Sequence, residues 1–335
     1  MADDVRDITI IGGGPSGLFA AFYAGLRGCS TRIIDALPEL GGQMAALYPE
    51  KDVFDVGGFP RVLAKDLVRS LIEQGLQFDP EVVLDERVRA IIRDEDGFRL
   101  VGGRDTYRSR AVILAGGKGS LEPMVLDATG YDELLNKGVE HAVKDPTAWA
   151  GKHVVVVGGG DSALDWALIL KDHAASTTLV HRRDGWRAHQ ASVARMEAAV
   201  AAGEIRLRTF HEVREIHGVE RVEAVTIFDS RTGAETRLAC DAVFAFLGFK
   251  PDLGPIAHWG LAIEKHRVKV SALMETSIPG IYAAGDLVDY PGKLDLIAAG
   301  FAEAAIAANQ AVHFVDPAAR VNPGHSTSYK HFKDN

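Results

Sequence analysis

Two short clusters of glycines constrain this chain more than any other feature of its sequence. The first spans residues 12–17 and reads GGGPSG, and the second spans residues 158–163 and reads GGGDSA. Each follows an apolar run and precedes an amphipathic stretch that leads to a second apolar run. This order is the plan of a βαβ nucleotide-binding unit, so its occurrence twice predicts two bound nucleotides.

The first cluster has the residues that a pyrophosphate-binding turn requires. Gly12 permits a tight turn, Gly14 lets backbone amides approach the phosphates, and Gly17 lets helix and strand pack closely. Asp35 ends the second apolar run, where a carboxylate accepts hydrogen bonds from ribose hydroxyls. We therefore expect an adenine dinucleotide here, with strands over 8–11 and 31–34 and a helix over 18–26.

The second cluster differs where its second strand ends. A carboxylate there would repel a 2′-phosphate, but the chain has His181-Arg182-Arg183, followed by Arg187. Guanidinium groups bind phosphate bidentately, so the site is expected to prefer NADP over NAD, the alternative being an arginine pair on a surface strand end. The residues predicted to contact NADP(H) are Gly158, Gly160, Asp161, Ser162, His181, Arg182, Arg183 and Arg187.

The rest of the chain places one nucleotide-binding domain inside the other. Glycine-rich residues 116–120 and the stretch 250–253 break periodic patterns on either side of the second unit, and we interpret both as linkers. We expect an α/β fold of two Rossmann-like, three-layer ββα domains, residues 1–117 with 250–335 and residues 118–249. Other expected elements are helices over 64–78, 189–202 and 294–314, strands over 82–114 and 205–246, and a covering tail over 317–335.

Two dinucleotides in one chain have a simple chemical use. A nicotinamide delivers hydride, and a flavin accepts it at N5 and passes electrons onward. This chemistry needs stacked rings more than an acid or base, and the sequence has no convincing nucleophile or catalytic triad. Asp286, after a small-residue turn at Gly285, is expected to bind a ribityl hydroxyl, while the helix beginning near Leu294 points its positive end at the flavin.

Composition excludes several other classes of function. The net charge of −9 argues against nucleic acid as a partner, although clusters of basic residues at 104–110 and 265–269 could form positive patches. No apolar run approaches the length of a membrane span, and the acidic N-terminus lacks the character of a signal peptide. Cys29 and Cys240 have no metal or redox spacing, which favours a reduced, cytoplasmic protein without a metal site.

Several further motifs carry a resemblance to a known family. In chain order they are Gly41-Gly42-Gln43, Tyr48-Pro-Glu-Lys, GGGDSALDWA from 158, His181-Arg-Arg-Asp, Gly285-Asp286, Tyr290-Pro-Gly-Lys and Pro323-Gly-His-Ser-Thr-Ser. Over nearly its whole length the chain closely resembles the thioredoxin reductase-like ferredoxin–NADP reductases. Thioredoxin reductases carry a CxxC pair that relays electrons to a disulfide, whereas residues 139–146 of this chain contain no cysteine. A dithiol relay is therefore impossible here.

The resemblance implies roles for particular residues. It implies that FAD is contacted by Gly12, Gly14, Ser16, Gly17, Asp35, Gln43, Tyr48, Val88, Leu121, Asp286 and Thr327. Tyr48 would stack on the isoalloxazine, and His325 of the tail would cover its other face, from the partner subunit of a homodimer. The chain departs from the usual pattern at Asp35, where Glu is common, at Leu121, where an aromatic is common, and at 115–117, which lacks a frequent Thr.

The expected function follows from these motifs together. Hydride passes between NADPH and FAD N5, and single electrons then pass to ferredoxin or flavodoxin. An enzyme of the same scaffold that uses a quinone, a small disulfide or oxygen as acceptor is the nearest alternative. A non-catalytic NADP(H)-sensing flavoprotein is the alternative from another class.

Overall fold

The chain folds into two compact units, one inserted in the other. The computed structural model describes residues 5–328, except for the side chains of residues 120–123, 249–251 and 328. Unit 1 contains the chain up to Leu121 and again from Pro251, and unit 2 contains Glu122–Lys250. The unit boundaries fall at the ends of the stretches interpreted as linkers.

Unit 1 contains four of the six helices that the described residues form. They are α1 (Pro15–Leu26), α2 (Gly42–Leu47), α3 (Ala64–Gly75) and α6 (Ile297–Val315). Its strands are β1 (Val5–Ile11), β2 (Thr31–Ile34), β3 (Asp52–Val53), β4 (Val62–Leu63), β5 (Glu81–Val83), β6 (Ala90–Asp94), β7 (Gly97–Val101), β8 (Thr106–Leu114), β19 (Ile263–Glu264), β20 (Arg267–Lys269), β21 (Ile281–Ala283) and β22 (Val288–Asp289).

Unit 2 and the linkers contain the remaining elements. The helices are α4 (Asp161–Leu170) and α5 (Gln190–Ala201). The strands are β10 (Val139–Glu140), β11 (His153–Val157), β12 (Ser176–His181), β13 (Ile205–Thr209), β14 (His211–Gly218), β15 (Val222–Asp229), β16 (Glu235–Ala239) and β17 (Ala242–Ala245). The linkers form β9 (Ser120–Pro123) and β18 (Phe249–Asp252), which pair as a two-stranded ribbon.

The main sheet of unit 1 gathers four strand ends at one edge. Its order is β5-β2-β1-β8-β7-β6, with β21 also paired to β8, and the β1, β2, β8 and β21 pairings are parallel. Ile11 at the end of β1 is level with Ile34 of β2 and with Leu114 of β8. Ligands of open α/β sheets bind beyond such carboxyl ends.

Both faces of this sheet are buried, which explains why its strands are almost continuously apolar. Ile8 and Ile10 pack in a core with residues of α1, α3 and α6. Val112 and Leu114 point to the opposite face, into a second core that includes residues of β7 and β20.

Unit 2 repeats this plan with a fully parallel central sheet in the order β10-β17-β11-β12-β13. Val154 and Val156 of β11 pack on α4 and α5, whereas Val155 and Val157 face an antiparallel sheet of β14, β15 and β16. The four consecutive valines are therefore divided between two apolar layers.

Element boundaries differ from the sequence predictions in several places. Helix α1 begins at Pro15, three residues before the predicted start, because proline suits the first helical position. Helix α3 ends at Gly75 and not at Phe78, and α6 begins at Ile297 and not near Leu294. Residues 250–252, predicted as irregular linker, are part of β18.

The basic clusters considered in the sequence are largely neutralised. Arg104 pairs with Glu86, and Arg110 pairs with Asp7. Arg267 pairs with Asp295, and Lys269 pairs with both Glu264 and Asp289. These residues therefore support the local structure and do not form an unopposed positive patch.

Candidate functional site

The glycine turn after β1 is shaped by close backbone contacts. Gly12 has φ +113°, and a Cβ on it would lie 2.6 Å from the carbonyl carbon of Ala115, at the end of β8. A Cβ on Gly17 would overlap the backbone of Gly12, so α1 and β1 approach as closely as two main chains can. Any side chain at either position would push the turn apart.

The face of this turn that lies beyond the sheet is open. A Cβ on Gly14 would meet only the Cα of Gly42, at 3.8 Å. Gly14 is the N-cap of α1, no side chain caps this end, and the first turn of the helix has no acidic residue. The amides at the start of α1 are thus available to an anion, as a pyrophosphate requires.

Asp35 follows β2 and adjoins the turn. Its Oδ2 accepts a hydrogen bond from the Gly13 amide, and its Oδ1 accepts one from the Leu37 amide at 2.8 Å. Burial raises the pKa of Asp35, while these backbone hydrogen bonds oppose the rise. A buried carboxylate that is hydrogen-bonded to the glycine turn is well placed to receive ribose hydroxyls.

The turn after β21 joins the same edge. Gly285 has φ +82°, and a Cβ on it would lie 2.7 Å from Ser16 Oγ on α1. A Cβ on Gly300, in the first turns of α6, would also contact this hydroxyl. Ser16 therefore lies where the glycine turn, the Gly285–Asp286 turn and the start of α6 meet.

Gln43, Tyr48 and Asp286 complete this part of the site. The amide nitrogen of Gln43 would lie 3.4 Å from a Cβ on Gly117, in the segment that follows β8. Burial raises the pKa of Tyr48 to about 12, and the nearby carboxylates of Asp286 and Asp55 add to the effect. Tyr48 and Asp286 are thus close enough to interact electrostatically.

Four predicted residues of this site remain, namely Val88, Leu121, Thr327 and His325. The Val88 side chain is buried in a core with Ile34, so only its main chain is available to a nucleotide. The Leu121 side chain is not among those that the structure describes. Thr327 lines a pocket with Ser326, Phe22 of α1, Gln74 of α3 and Gln77, which follows α3, and His325 is exposed. Within the described part of the tail, which ends at residue 328, Ser326 and Thr327 therefore lie beside Phe22 and Gln74 of their own chain.

The glycine turn of unit 2 has a similar open face. A Cβ on Gly160 would meet nothing within 4 Å, and no side chain caps α4 at this residue. A Cβ on Gly158, which has φ +152°, would lie 2.8 Å from Ala163 Cβ. The second turn thus also combines tight packing beneath with open amides above.

The arginine-rich segment folds back onto this turn. Arg187 donates its amide to the Gly159 carbonyl at 2.9 Å, and His189 donates its amide to Asp161 Oδ1 at 2.8 Å. The His181 ring lies directly over Gly159 and stacks on Trp186, with centroids 4.6 Å apart. Asp161 and His181 therefore anchor the segment to the turn.

The arginines themselves are available for a ligand. Arg182, Arg183 and Arg187 are exposed, and within residues 5–328 no carboxylate forms an ion pair with them. Burial lowers the pKa of His181 and the three arginines add to the effect, while a hydrogen bond to the Gly185 carbonyl opposes it. Three unpaired guanidinium groups beside a phosphate turn suit a second phosphate.

Neither cysteine thiol belongs to the residues described above at the two glycine turns. Burial raises the pKa of Cys29 to about 11 and that of Cys240 to about 12. Both are therefore protonated at neutral pH. In the stretch where a thioredoxin reductase has its cysteines, His141 Nε2 lies 2.5 Å from the Tyr131 hydroxyl.

Sequence reasoning missed several residues of the site. Lys118 Nζ lies 3.9 Å from Asp286 Oδ2 and 3.6 Å from Asp295 Oδ2. Glu303 of α6 is 2% exposed and accepts the Gly285 amide. The one available signal for Glu303 was its place as the single acidic residue of a 19-residue helix.

Comparisons with known proteins agree with this arrangement. The family model for the pyridine nucleotide-disulphide oxidoreductases matches residues 6–311. A ferredoxin–NADP reductase of Thermus thermophilus is 50% identical over 328 residues, covering 98% of both chains. One from Halalkalibacterium halodurans is 47% identical over 328 residues, covering 97% of this chain and 98% of the relative.

A solved structure extends the likeness to the fold. The crystal structure of T. acidophilum thioredoxin reductase superposes with a TM-score of 0.80 at 26% identity, covering 94% of this chain and 99% of that one. The glycine turns, their strand order and these matches together show that the chain belongs to the pyridine nucleotide-disulphide oxidoreductases and, within them, to the thioredoxin reductase-like ferredoxin–NADP reductases.

Proposed function

We propose that this protein is an FAD-dependent ferredoxin–NADP or flavodoxin–NADP reductase, with FAD in unit 1 and NADP(H) in unit 2. When bound, the two cofactors would supply a two-electron donor in the nicotinamide and a flavin able to release electrons singly. The observation that carries the proposal is the pair of open, uncapped glycine turns, each with its own sugar-side residues. The family relatives are named for the same activity.

In unit 1, different residues at the sheet edge would contact different parts of FAD. The α1 amides beyond Gly14 would face the pyrophosphate, Asp35 would accept the ribose hydroxyls, and Asp286 would accept a ribityl hydroxyl. Tyr48 would cover the ring system. Tyr48 packs against the core, Asp35 is held by two backbone amides, and the Gly285–Asp286 turn packs on Ser16, so the cofactor would meet a site already formed.

In unit 2, the arginines would select the coenzyme. The turn at Gly160 would face the pyrophosphate of NADP(H), and Arg182 and Arg183 would hold the 2′-phosphate that NADH lacks. Unit 2 would thus be the Rossmann-like NADP domain inserted in the Rossmann-like FAD domain.

We further propose a homodimer, in which the tail of one subunit covers the flavin of the other. The position of Thr327 beside Phe22, Gln74 and Gln77 supports this, because it places this residue of the tail against α1 and α3 of its own subunit. His325 would then face the partner's flavin. A cytoplasmic location remains a prediction from the sequence.

The function can be tested in two steps. Purified protein should take up FAD, and stopped-flow mixing with NADPH should bleach the visible flavin band, whereas a non-catalytic sensor would leave it unchanged. Cytochrome c reduction by NADPH should then rise when ferredoxin or flavodoxin is added. A protein that binds no FAD contradicts the whole proposal, while bleaching without stimulation would favour a quinone or other small acceptor.

A further inference from the structure

A buried ion pair lies directly behind the Gly285–Asp286 turn. Glu303 accepts three hydrogen bonds, from the Gly285 amide at 2.8 Å, the Tyr290 hydroxyl at 2.8 Å and Lys293 Nζ at 2.7 Å. The side chains of Lys293 and Glu303 are each 3% exposed. These contacts account for the tyrosine and lysine of the Tyr290-Pro-Gly-Lys motif, which the proposed function leaves without a role.

A buried ion pair is confined to a narrow range of geometries. Removing charges from water is unfavourable, and the loss is offset only when the partners stay in contact and their hydrogen bonds are complete. Lys293 therefore ties the loop between β22 and α6 to Glu303, and Tyr290 ties its other half to the same carboxylate. The loop is also held outside by Arg267–Asp295 at 2.7 Å, a more exposed contact that solvent weakens.

The carboxylate transmits this geometry to the proposed flavin site. Glu303 Oε2 receives the amide of Gly285, the residue that packs on Ser16 and immediately precedes Asp286. The other oxygen receives the tyrosine and the lysine. A change in the charge of either partner would therefore move the turn that presents Asp286.

We propose that the buried Lys293–Glu303 pair is a positioning element, which fixes the Gly285–Asp286 turn in the place that FAD requires. The inference rests on the proposed FAD site. Both residues act through the turn and need not touch the cofactor. Because the pair is neutral as a whole, it can give the turn a fixed position without adding net charge beside the flavin.

Three variants test the pair: Glu303→Gln, Lys293→Met, and the two together. Glutamine keeps an oxygen for the Gly285 amide but leaves Lys293 unpaired, and methionine leaves Glu303 unpaired. Each single variant should bind FAD about tenfold or more weakly by fluorescence titration, because an unpaired buried charge must move or recruit water. The double variant should recover near-wild-type affinity, since it removes both charges and keeps the backbone hydrogen bond.

A surface ion pair in unit 2 provides matched controls. Lys171 and Glu204 lie 2.9 Å apart with 18% and 49% of their side chains exposed, so Lys171→Met and Glu204→Gln make the same chemical changes. Both should leave FAD affinity unchanged. The visible spectrum of bound FAD and its midpoint potential should shift in the two buried single variants and return in the double variant.

The outcomes separate the inference from the function on which it rests. If wild-type protein binds no FAD, the proposed function fails. If the wild type binds FAD and the buried single variants bind it equally well, with only a lower melting temperature of the apoprotein, the pair is purely structural and the inference is wrong. A double variant no better than the singles would also overturn it.

Discussion

Two neighbouring glycines of the second turn have opposite surroundings. A Cβ on Gly160 would meet nothing, whereas a Cβ on Gly159 would overlap the His181 ring. The sequence indicates that both glycines belong to a phosphate turn, but only the fold shows which one is open to a ligand. The role of Glu303 is also visible only in the fold, because its three hydrogen-bond donors come from residues 10–18 positions away in the chain.

Asp286 gives a prediction about pH. Burial raises its pKa above the ordinary value of 3.8, with Asp295 adding to the rise and Lys118, Lys293 and Arg267 opposing it. A raised pKa means that ionisation disfavours the folded apoprotein, with no effect below the ordinary value and a full effect above the raised one. Asp286→Asn should therefore raise the melting temperature of the apoprotein at pH 7, and the gain should vanish as the pH falls towards 3.8.

The same variant should bind FAD about tenfold more weakly, because a hydrogen bond to a charged acceptor is worth roughly 1.5–3 kcal/mol. The exposed carboxyl of Asp132 provides the control, and Asp132→Asn should change neither quantity. A less stable Asp286→Asn apoprotein at pH 7 would mean that nearby cations hold the carboxylate more strongly than burial disfavours it.

At the scale of secondary-structure elements, the sequence predicts that a helix or strand is present better than it predicts the residues at which the element begins and ends. Strand β2 is found where the second apolar run predicts it, at Thr31–Ile34. Helix α6 begins three residues late, because Leu294–Leu296 lie in the loop that Arg267 holds through Asp295. That ion pair joins β20 to the loop across 28 residues, and no local pattern reveals it.

The arginine segment after β12 carries a prediction of coenzyme choice. Arg182→Ala should raise the KM for NADPH by about tenfold or more and leave that for NADH nearly unchanged, because a guanidinium–phosphate contact is lost only with NADPH. Steady-state kinetics with both coenzymes measure this. Arg206 is an exposed arginine on β13, and the control variant Arg206→Ala should affect neither KM. Equal effects of Arg182→Ala on both coenzymes would show that Arg182 does not contact the 2′-phosphate.

At the scale of the whole molecule, the sequence predicts two nucleotide-binding regions with one inserted in the other. The structure divides the chain into two compact units, one formed by the residues up to Leu121 and from Pro251 and the other by Glu122–Lys250. The sequence does not predict that the two connections pair as β9 and β18. Strand pairing between segments more than 120 residues apart depends on the fold of everything between them. Short irregular linkers and a paired ribbon therefore look alike in sequence.

We expect the units to rotate about these connections during turnover. Gly119 lies at the first connection with φ +78°, and a Cβ there would overlap the carbonyl group of Asp252, so the paired backbone would have to shift as well. Gly119→Ala should slow NADPH-driven bleaching of the flavin roughly two- to tenfold, because a non-glycine residue at positive φ stores about 1 kcal/mol or more in the hinge. FAD affinity and equilibrium binding of NADP⁺ should stay the same.

The control for this variant has the same backbone strain elsewhere. Gly203 follows α5 with φ +76°, and a Cβ there would meet nothing within 4 Å. Gly203→Ala should leave the bleaching rate unchanged. Equal slowing by both variants would indicate a general loss of stability and would speak against a hinge at Gly119.

The two ends of helix α1 make different contacts. Its first turn presents the open amides beyond Gly14, while Arg27 at its last turn donates to Asn309 of α6 and to the carbonyl oxygens of Arg320 and Val321. A packed helix moves as one body. The proposed nucleotide site and the contacts that hold Arg320 and Val321 therefore lie at opposite ends of the same helix, so a shift of α1 would displace both together.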